Sequence, residues 1–197
     1  MSDARVVVLA SGSGSLFQAL IDTQADLGIE IVALVVDKDV PAVQRAQSAA
    51  ISVIEVPMLR DRDQWNQVME SVLSDLGADL VISAGFMRVL GANVVTAFSG
   101  RLINTHPALL PEYPGAHAVR DALTAGATKT GTTVHFVDSG VDTGPIISQR
   151  EVEISPDDTE ESLHERIKVV ERELLVETVR EIVTGKISLI DGKVVTQ

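Results

Sequence analysis

Residues 5–21 read RVVVLASGSGSLFQALI. Residues 5–10 form a continuous apolar run without alternation, the pattern of a strand buried on both faces of a parallel sheet. Ser11-Gly12-Ser13-Gly14-Ser15 follows at once, and residues 16–21 then read as the start of a helix. A strand, a Gly/Ser turn and a helix in immediate succession suit a phosphate. The glycines permit close main-chain approach, and the helix start offers N–H groups without intrahelical acceptors at the positive end of the dipole. A tight turn with no ligand is the alternative reading of the same residues.

The pattern repeats outward from there. Residues 29–36 are a second buried strand, and residues 41–50 a short helix opened by Pro41. Residues 51–56 alternate into a third strand ending at Pro57. Asp61 or Asp63 caps an amphipathic helix that runs to about residue 76 and stops at Gly77. A fourth strand at 80–82 leads into SAGFMRVL (83–90), followed by a short helix at 94–98 and a fifth strand at 101–103. This alternation predicts an α/β fold, a Rossmann-like, mostly parallel twisted sheet of about seven strands flanked by helices. From Thr130 the pattern changes. Residues 133–137 and 146–154 read as an antiparallel hairpin at the far edge of the sheet. Residues 155–159 look like a cap for a long C-terminal helix, 160–183, with Leu163, Ile167, Val170, Leu174 and Val179 near helical spacing. Gly185 ends it, and 187–190 with 194–195 make a hairpin around Asp191-Gly192. Gly12-x-Gly14 with Asp37 also matches part of a dinucleotide fingerprint, but Phe17 stands where that motif needs a small residue.

The chain has 197 residues, 45% of them hydrophobic and 22% charged, which fits one globular domain. No apolar run reaches the length of a membrane span, because Asp37 and Arg88 interrupt the best candidates. No basic segment followed by an apolar stretch marks the N-terminus as a secretory signal. The absence of cysteine removes disulfides, thiolate metal sites and cysteine nucleophiles, and suits a cytoplasmic protein. A net charge of −12 argues against general nucleic-acid binding.

Residues 101–145 hold three of the four histidines and four of the seven prolines, which stiffen a segment that cannot pair into a sheet. Asn104 and His106 follow the apolar Leu102-Ile103, at the C-terminal end of a strand, where open parallel sheets bind ligands. No pair of residues has metal-ligand spacing such as H-x-x-x-H on a helix.

NTHPALLPEYPG (104–115) followed by GTTVHFVDSGVDTGPI (131–146) resembles the signature of the folate-dependent glycinamide ribonucleotide formyltransferases, within the wider group that uses 10-formyltetrahydrofolate. SGSGS (11–15), AGFMRVL (84–90) and HERIKVVE (164–171) extend the likeness over nearly the whole chain. The resemblance implies one formyltransferase domain over 1–197. Its part up to about residue 100 would bind the nucleotide phosphate, and the part from about 101 would carry catalysis and folate binding. It implies formyl transfer from 10-formyltetrahydrofolate to the amine of glycinamide ribonucleotide in purine biosynthesis, in the cytoplasm. It also implies no metal, no nucleic acid, no membrane, and a monomer or homodimer. Asn104, His106 and Asp142 would be catalytic. Gly14, Ser15, Leu16, Lys168 and Glu171 would hold the ribonucleotide: the first three its phosphate, the last two its ribose. Arg62, Met87, Arg88, Val89, Leu90, Asn104, Asp138, Ser139, Gly140, Val141 and Asp142 would line the folate site, and Leu110–Pro111 would be cis. Leu16 departs from the asparagine of many relatives, so only its main-chain N–H can serve.

Formyl transfer to an amine passes through a tetrahedral carbon bearing an oxyanion. Asn104 as an amide donor and a cationic His106 meet the need to stabilise that oxygen, and an imidazole also moves protons near neutrality. A nearby carboxylate favours the charged imidazole, the role the resemblance gives Asp142. Read singly, each residue has a plainer role. A lone histidine ends a strand, an aspartate sits in a Gly-rich turn, and Arg88 is solvated. Lys168 and Glu171, three apart, form a surface ion pair. His135 reads as buried and hydrogen-bonded, His117 as close to the site and His164 as a surface residue. A tRNA-directed formyltransferase of this group would carry a further C-terminal RNA-binding domain. A formyltetrahydrofolate hydrolase would carry a further N-terminal domain. A non-catalytic nucleotide-binding module is the alternative from another class.

Overall fold

The apolar run near the start is β1 (Ala4–Ala10) in a computed structural model that describes residues 3–197. Val6, Val7, Val8, Leu9 and Ala10 are all fully buried, as a doubly covered strand requires. The chain continues through α1 (Ser15–Leu27), β2 (Ile29–Val36), α2 (Pro41–Ser48), β3 (Ser52–Glu55), α3 (Arg62–Asp75), β4 (Leu80–Ser83), α4 (Ala92–Ala97) and β5 (Leu102–His106). Then come α5 (Ala118–Thr124), β6 (Lys129–Phe136), β7 (Ile146–Glu153), α6 (Glu160–Val183), β8 (Ile187–Ile190) and β9 (Lys193–Thr196). The main sheet has seven strands in the order β3-β2-β1-β4-β5-β6-β7, with β8 and β9 in a separate two-stranded sheet. The pairs β1–β2, β2–β3, β1–β4 and β4–β5 are parallel, and β6–β7 is the antiparallel edge expected from the change of pattern.

The chain divides into two compact units, Met1–Asn104 and Thr105–Gln197. In the first, Phe17 and Leu20 of α1 and Trp65, Met69 and Leu73 of α3 are fully buried, as are Val81 and Ile82 of β4. In the second, Val119, Val152, Leu163 and Ile167 form a core cluster flanked by Leu123, Ile154 and Val170.

Local chemistry decides the helix boundaries. Of the two aspartates that could cap α3, it is Asp61 whose carboxylate accepts the N–H groups of Asp63 and Gln64. Thr159 and Ser162 form a reciprocal capping box at the start of α6. Asp191 and Gly192 both have positive φ, 50° and 73°, as a tight hairpin turn demands. β5 runs three residues further than expected, so Asn104 and His106 lie in its last turn of pleat and not beyond it. Among the described residues no helix is long and apolar enough to cross a membrane.

Candidate active site

Asn104 and His106 share one face of β5, because alternate residues of a strand point the same way. Past the strand the backbone is fastened to β6 by one hydroxyl. Thr133 Oγ1 donates to the Ala108 carbonyl at 2.7 Å and accepts from the Leu110 N–H at 3.1 Å and Gln149 Nε2 at 2.9 Å. Gln149 also donates to the Leu110 carbonyl at 2.8 Å. Leu110–Pro111 is cis.

The structure brings His106 and Asp142 together, with His106 Nδ1 3.4 Å from Asp142 Oδ2. The same oxygen accepts the Gly115 N–H at 2.8 Å. Asp142 Oδ1 faces a second imidazole, His135 Nε2, at 3.7 Å. His135 is buried, with Nδ1 2.9 Å from the Phe136 carbonyl. His106 Nε2 lies 2.8 Å from the Tyr113 carbonyl. A carbonyl only accepts, so Nε2 carries a hydrogen. In the neutral ring Nδ1 then turns its lone pair toward the carboxylate. A proton gained at Nδ1 converts that contact into a charge-assisted bond. Tyr113 and Asp142, at opposite ends of this network, both adopt positive φ, 53° and 54°.

Burial, the largest influence, holds the His106 pKa below the ordinary histidine value; the Asp142 charge and the Tyr113 carbonyl oppose it, and His135 adds to the lowering. The expected cationic resting state is therefore corrected: Asp142 acts in the anticipated direction, but desolvation outweighs it. Asp142 itself is held below the usual carboxylate range. Burial raises it, but hydrogen bonds from His135 and Gly115 and the charges of both histidines prevail.

The loop that carries Asp142 is shaped by Asp138, which accepts the Gly140 N–H at 3.0 Å and the Thr143 hydroxyl at 2.7 Å. A Cβ on Gly144 would fall 1.8 Å from the Phe136 carbonyl oxygen, so only glycine lets the loop rejoin the sheet. Ser139 and Val141 are exposed at its tip.

At the first turn Gly14 is the N-cap of α1 with φ 72°, and no side chain caps the helix. Its carbonyl takes the Gln18 N–H at 2.9 Å, leaving the N–H groups of Ser15 and Leu16 outside the helical ladder. Leu16 buries its side chain. Arg45 Nε donates to the Ser13 carbonyl at 2.8 Å, placing a cation on the turn.

Residues Met87, Arg88, Val89 and Leu90 form an irregular loop in which Met87 and Val89 are 67% and 56% exposed. Arg62 stacks over Trp65, 4.8 Å from the ring centre, and donates to the Val89 carbonyl. Arg88 is not a free solvated arginine: its Nε donates to Asp37 Oδ2 at 2.7 Å. Asp37 is thereby committed, and Phe17 fills the space where a dinucleotide motif needs a small residue. Both observations count against the dinucleotide reading.

On α6, Lys168 pairs with Glu165 at 2.7 Å and not with Glu171, which overturns the surface-pair reading. Glu171 is 5% exposed, and burial raises its pKa to about 7 against the opposing influence of the Thr105 hydroxyl and of Lys168 and Arg172. His164 is half-buried and not a surface residue, and burial, then Lys168, lower its pKa. His117 is exposed at the start of α5. The His135–Asp142 approach, the Tyr113 carbonyl and the Asp37–Arg88 pair went unforeseen; only His135, inside the GTTVHFVDSGVDTGPI stretch, left a signal. Among the described residues no group of three or more His, Cys, Asp or Glu side chains is placed to hold a metal ion.

The profile of the family described as formyl transferase matches residues 4–179. A phosphoribosylglycinamide formyltransferase of Mycobacterium tuberculosis is 46% identical over 190 residues, covering 95% of this chain and 88% of that protein. The crystal structure of glycinamide ribonucleotide transformylase 1 from Symbiobacterium toebii superposes with a TM-score of 0.94 at 34% identity, covering 99% of this chain and 94% of that one. A formyltetrahydrofolate deformylase from Pseudomonas syringae pv. tomato superposes with a TM-score of 0.92 at 24% identity, covering 98% of this chain and 66% of that one, a likeness of fold.

Proposed function

The chain belongs to the formyl transferase family, and from that premise we propose that it moves the formyl group of 10-formyltetrahydrofolate to the amine of N1-(5-phospho-D-ribosyl)glycinamide. The products are the N2-formyl ribonucleotide and tetrahydrofolate, in a step of purine biosynthesis. The observation that carries this reading is Asp142 seated between the imidazoles of His106 and His135.

His106, kept toward neutrality by burial, accepts a proton from the amine nitrogen as that nitrogen bonds to the formyl carbon. Asp142 stabilises the imidazolium that results. Asn104 donates a hydrogen bond to the oxyanion of the tetrahedral intermediate. The proton then passes to N10 as the carbon–N10 bond breaks, which restores neutral His106. The main chain of Met87, Arg88, Val89 and Leu90 with Arg62, and the loop of Asp138, Ser139, Gly140, Val141 and Asp142, hold the folate. Gly14, Ser15 and Leu16 take the phosphate, and Lys168 with Glu171 the ribose hydroxyls. The protein works as a single formyltransferase domain in the cytoplasm, as a monomer or homodimer, on small molecules alone.

A spectrophotometric assay with glycinamide ribonucleotide as acceptor tests this. Tetrahydrofolate should form only when the ribonucleotide is present, and His106→Ala should abolish it. Release of formate without an acceptor would instead establish formyltetrahydrofolate hydrolysis.

A further inference from the structure

Residues 84–91 belong to no helix or strand, so no ladder of main-chain hydrogen bonds fixes their shape. Between Gly85 and Val89 the segment is held by four tethers instead. The Ser11 N–H donates to the Gly85 carbonyl at 3.1 Å, and Ser11 Oγ accepts the Met87 N–H at 3.0 Å. Arg88 turns inward to Asp37 between the two outward-facing apolar side chains of Met87 and Val89, and Arg62 takes the Val89 carbonyl. Asp37 directly follows the second strand with its side chain 1% exposed, and the Ser11 side chain also hydrogen-bonds its carboxylate.

Such a pair is a poor way to stabilise a fold. The desolvation of a buried carboxylate consumes most of its attraction to the guanidinium, and an apolar pair of similar volume holds a core equally well. What an apolar pair cannot do is fix direction. A guanidinium gripped through Nε by a side chain with no room to move sets the path of the backbone that bears it.

We propose that Asp37 is a positioning residue for folate binding. Through Arg88, with Ser11 on the neighbouring strand end, it sets the main-chain geometry of residues 87–90. The inference rests on the reading of those residues as folate-binding, and it adds a determinant that touches no substrate.

The test is the steady-state kinetics of Asp37→Asn, Arg88→Met and the double variant, with each substrate varied in turn. Asp37→Asn should raise KM for the formyl folate roughly ten- to a hundredfold, with kcat and the ribonucleotide KM within about twofold. The double variant should be no worse than the poorer single one, because both remove one interaction. An unchanged folate KM, additive effects, or equal rises in both KM values would overturn the proposal. Should Asp37→Asn fail to fold, Arg88→Lys keeps the charge, loses the Nε donor and should give the same split. Amide NMR of the wild-type protein titrated with tetrahydrofolate separates the two levels. If the amides of residues 87–90 do not respond, the folate reading fails and this proposal with it. If they respond while the variants bind tetrahydrofolate as well as wild type does, only the positioning role fails.

Discussion

Replacing Asp142 by asparagine keeps the shape of the side chain and removes its charge. With Asp142 Oδ2 3.4 Å from His106 Nδ1 and an effective dielectric of about 20, the attraction between carboxylate and imidazolium amounts to about 5 kcal/mol. Part of it survives the substitution. The amide oxygen still accepts the Gly115 N–H, and at 13% side-chain exposure water supplies some of the lost stabilisation. A loss of about 3–4 kcal/mol remains, which lowers kcat roughly 100- to 1,000-fold. The pH dependence has a definite sign. Burial already holds His106 below its ordinary value, with Asp142 as the largest opposing influence, so Asp142→Asn lowers it further. If neutral His106 accepts the proton, the rate rises with pH as the ring loses its charge, and this acid limb moves to lower pH in the variant. Formyl-transfer kinetics across pH, with NMR titration of the His106 ring in both proteins, check the claim. Identical titration of the ring with and without the carboxylate, or a fall in kcat of less than about threefold, would refute the reasoning.

Asn104→Ala should lower kcat roughly 100- to 1,000-fold and leave ribonucleotide binding nearly intact, as measured by calorimetry. A change confined to KM would reassign Asn104 to ground-state binding. Gly14→Ala should raise the ribonucleotide KM and lower Tm, because the residue has φ +72° and its new Cβ would meet that of Ala42 at 2.7 Å. Crystals of the wild type soaked with the ribonucleotide should show the phosphate on the N–H groups around Gly14 and Ser15. Glu171, raised from 4.5 to about 7, binds its proton more tightly folded than unfolded, so stability falls as pH rises through that interval. Glu171→Gln should therefore stabilise the fold at pH above about 7, by on the order of 3 kcal/mol at most and seen as a higher Tm, while weakening ribonucleotide binding.

Much of the fold was legible because it is written in local pattern. The apolar run before SGSGS, the prolines after β5 and the Asp191-Gly192 turn each specify their own conformation. The meeting of His106 with Asp142 came from a likeness of motifs, since no spacing rule joins two residues 36 positions apart. What stayed hidden is collective. Asp37 and Arg88 are 51 residues apart, and an aspartate following a strand after Gly12-x-Gly14 reads more readily as a ribose ligand than as an arginine's partner. Lys168 has a glutamate three residues away on either side, and only the burial of Glu171 selects Glu165. The charge of His106 depends on how much water the finished core excludes, which no single residue states.

The turn at Gly14 has a consequence for how the protein could escape an inhibitor. The donors it offers belong to the main chain of Ser15 and Leu16, and its one constrained side chain is the hydrogen of a glycine. Drug resistance commonly arises when a point change deletes the group that an inhibitor grips. Here almost no codon change can do so, because every residue except proline supplies the same N–H. Proline is accepted at the first position of a helix, so Ser15→Pro is the substitution to watch for: it removes a donor, at the cost of pressing its ring against Gly14, whose ψ of 29° is disfavoured before proline. An anionic compound anchored on this turn would therefore face a narrow mutational exit, and one that strips a donor from the phosphate proposed to bind there as well.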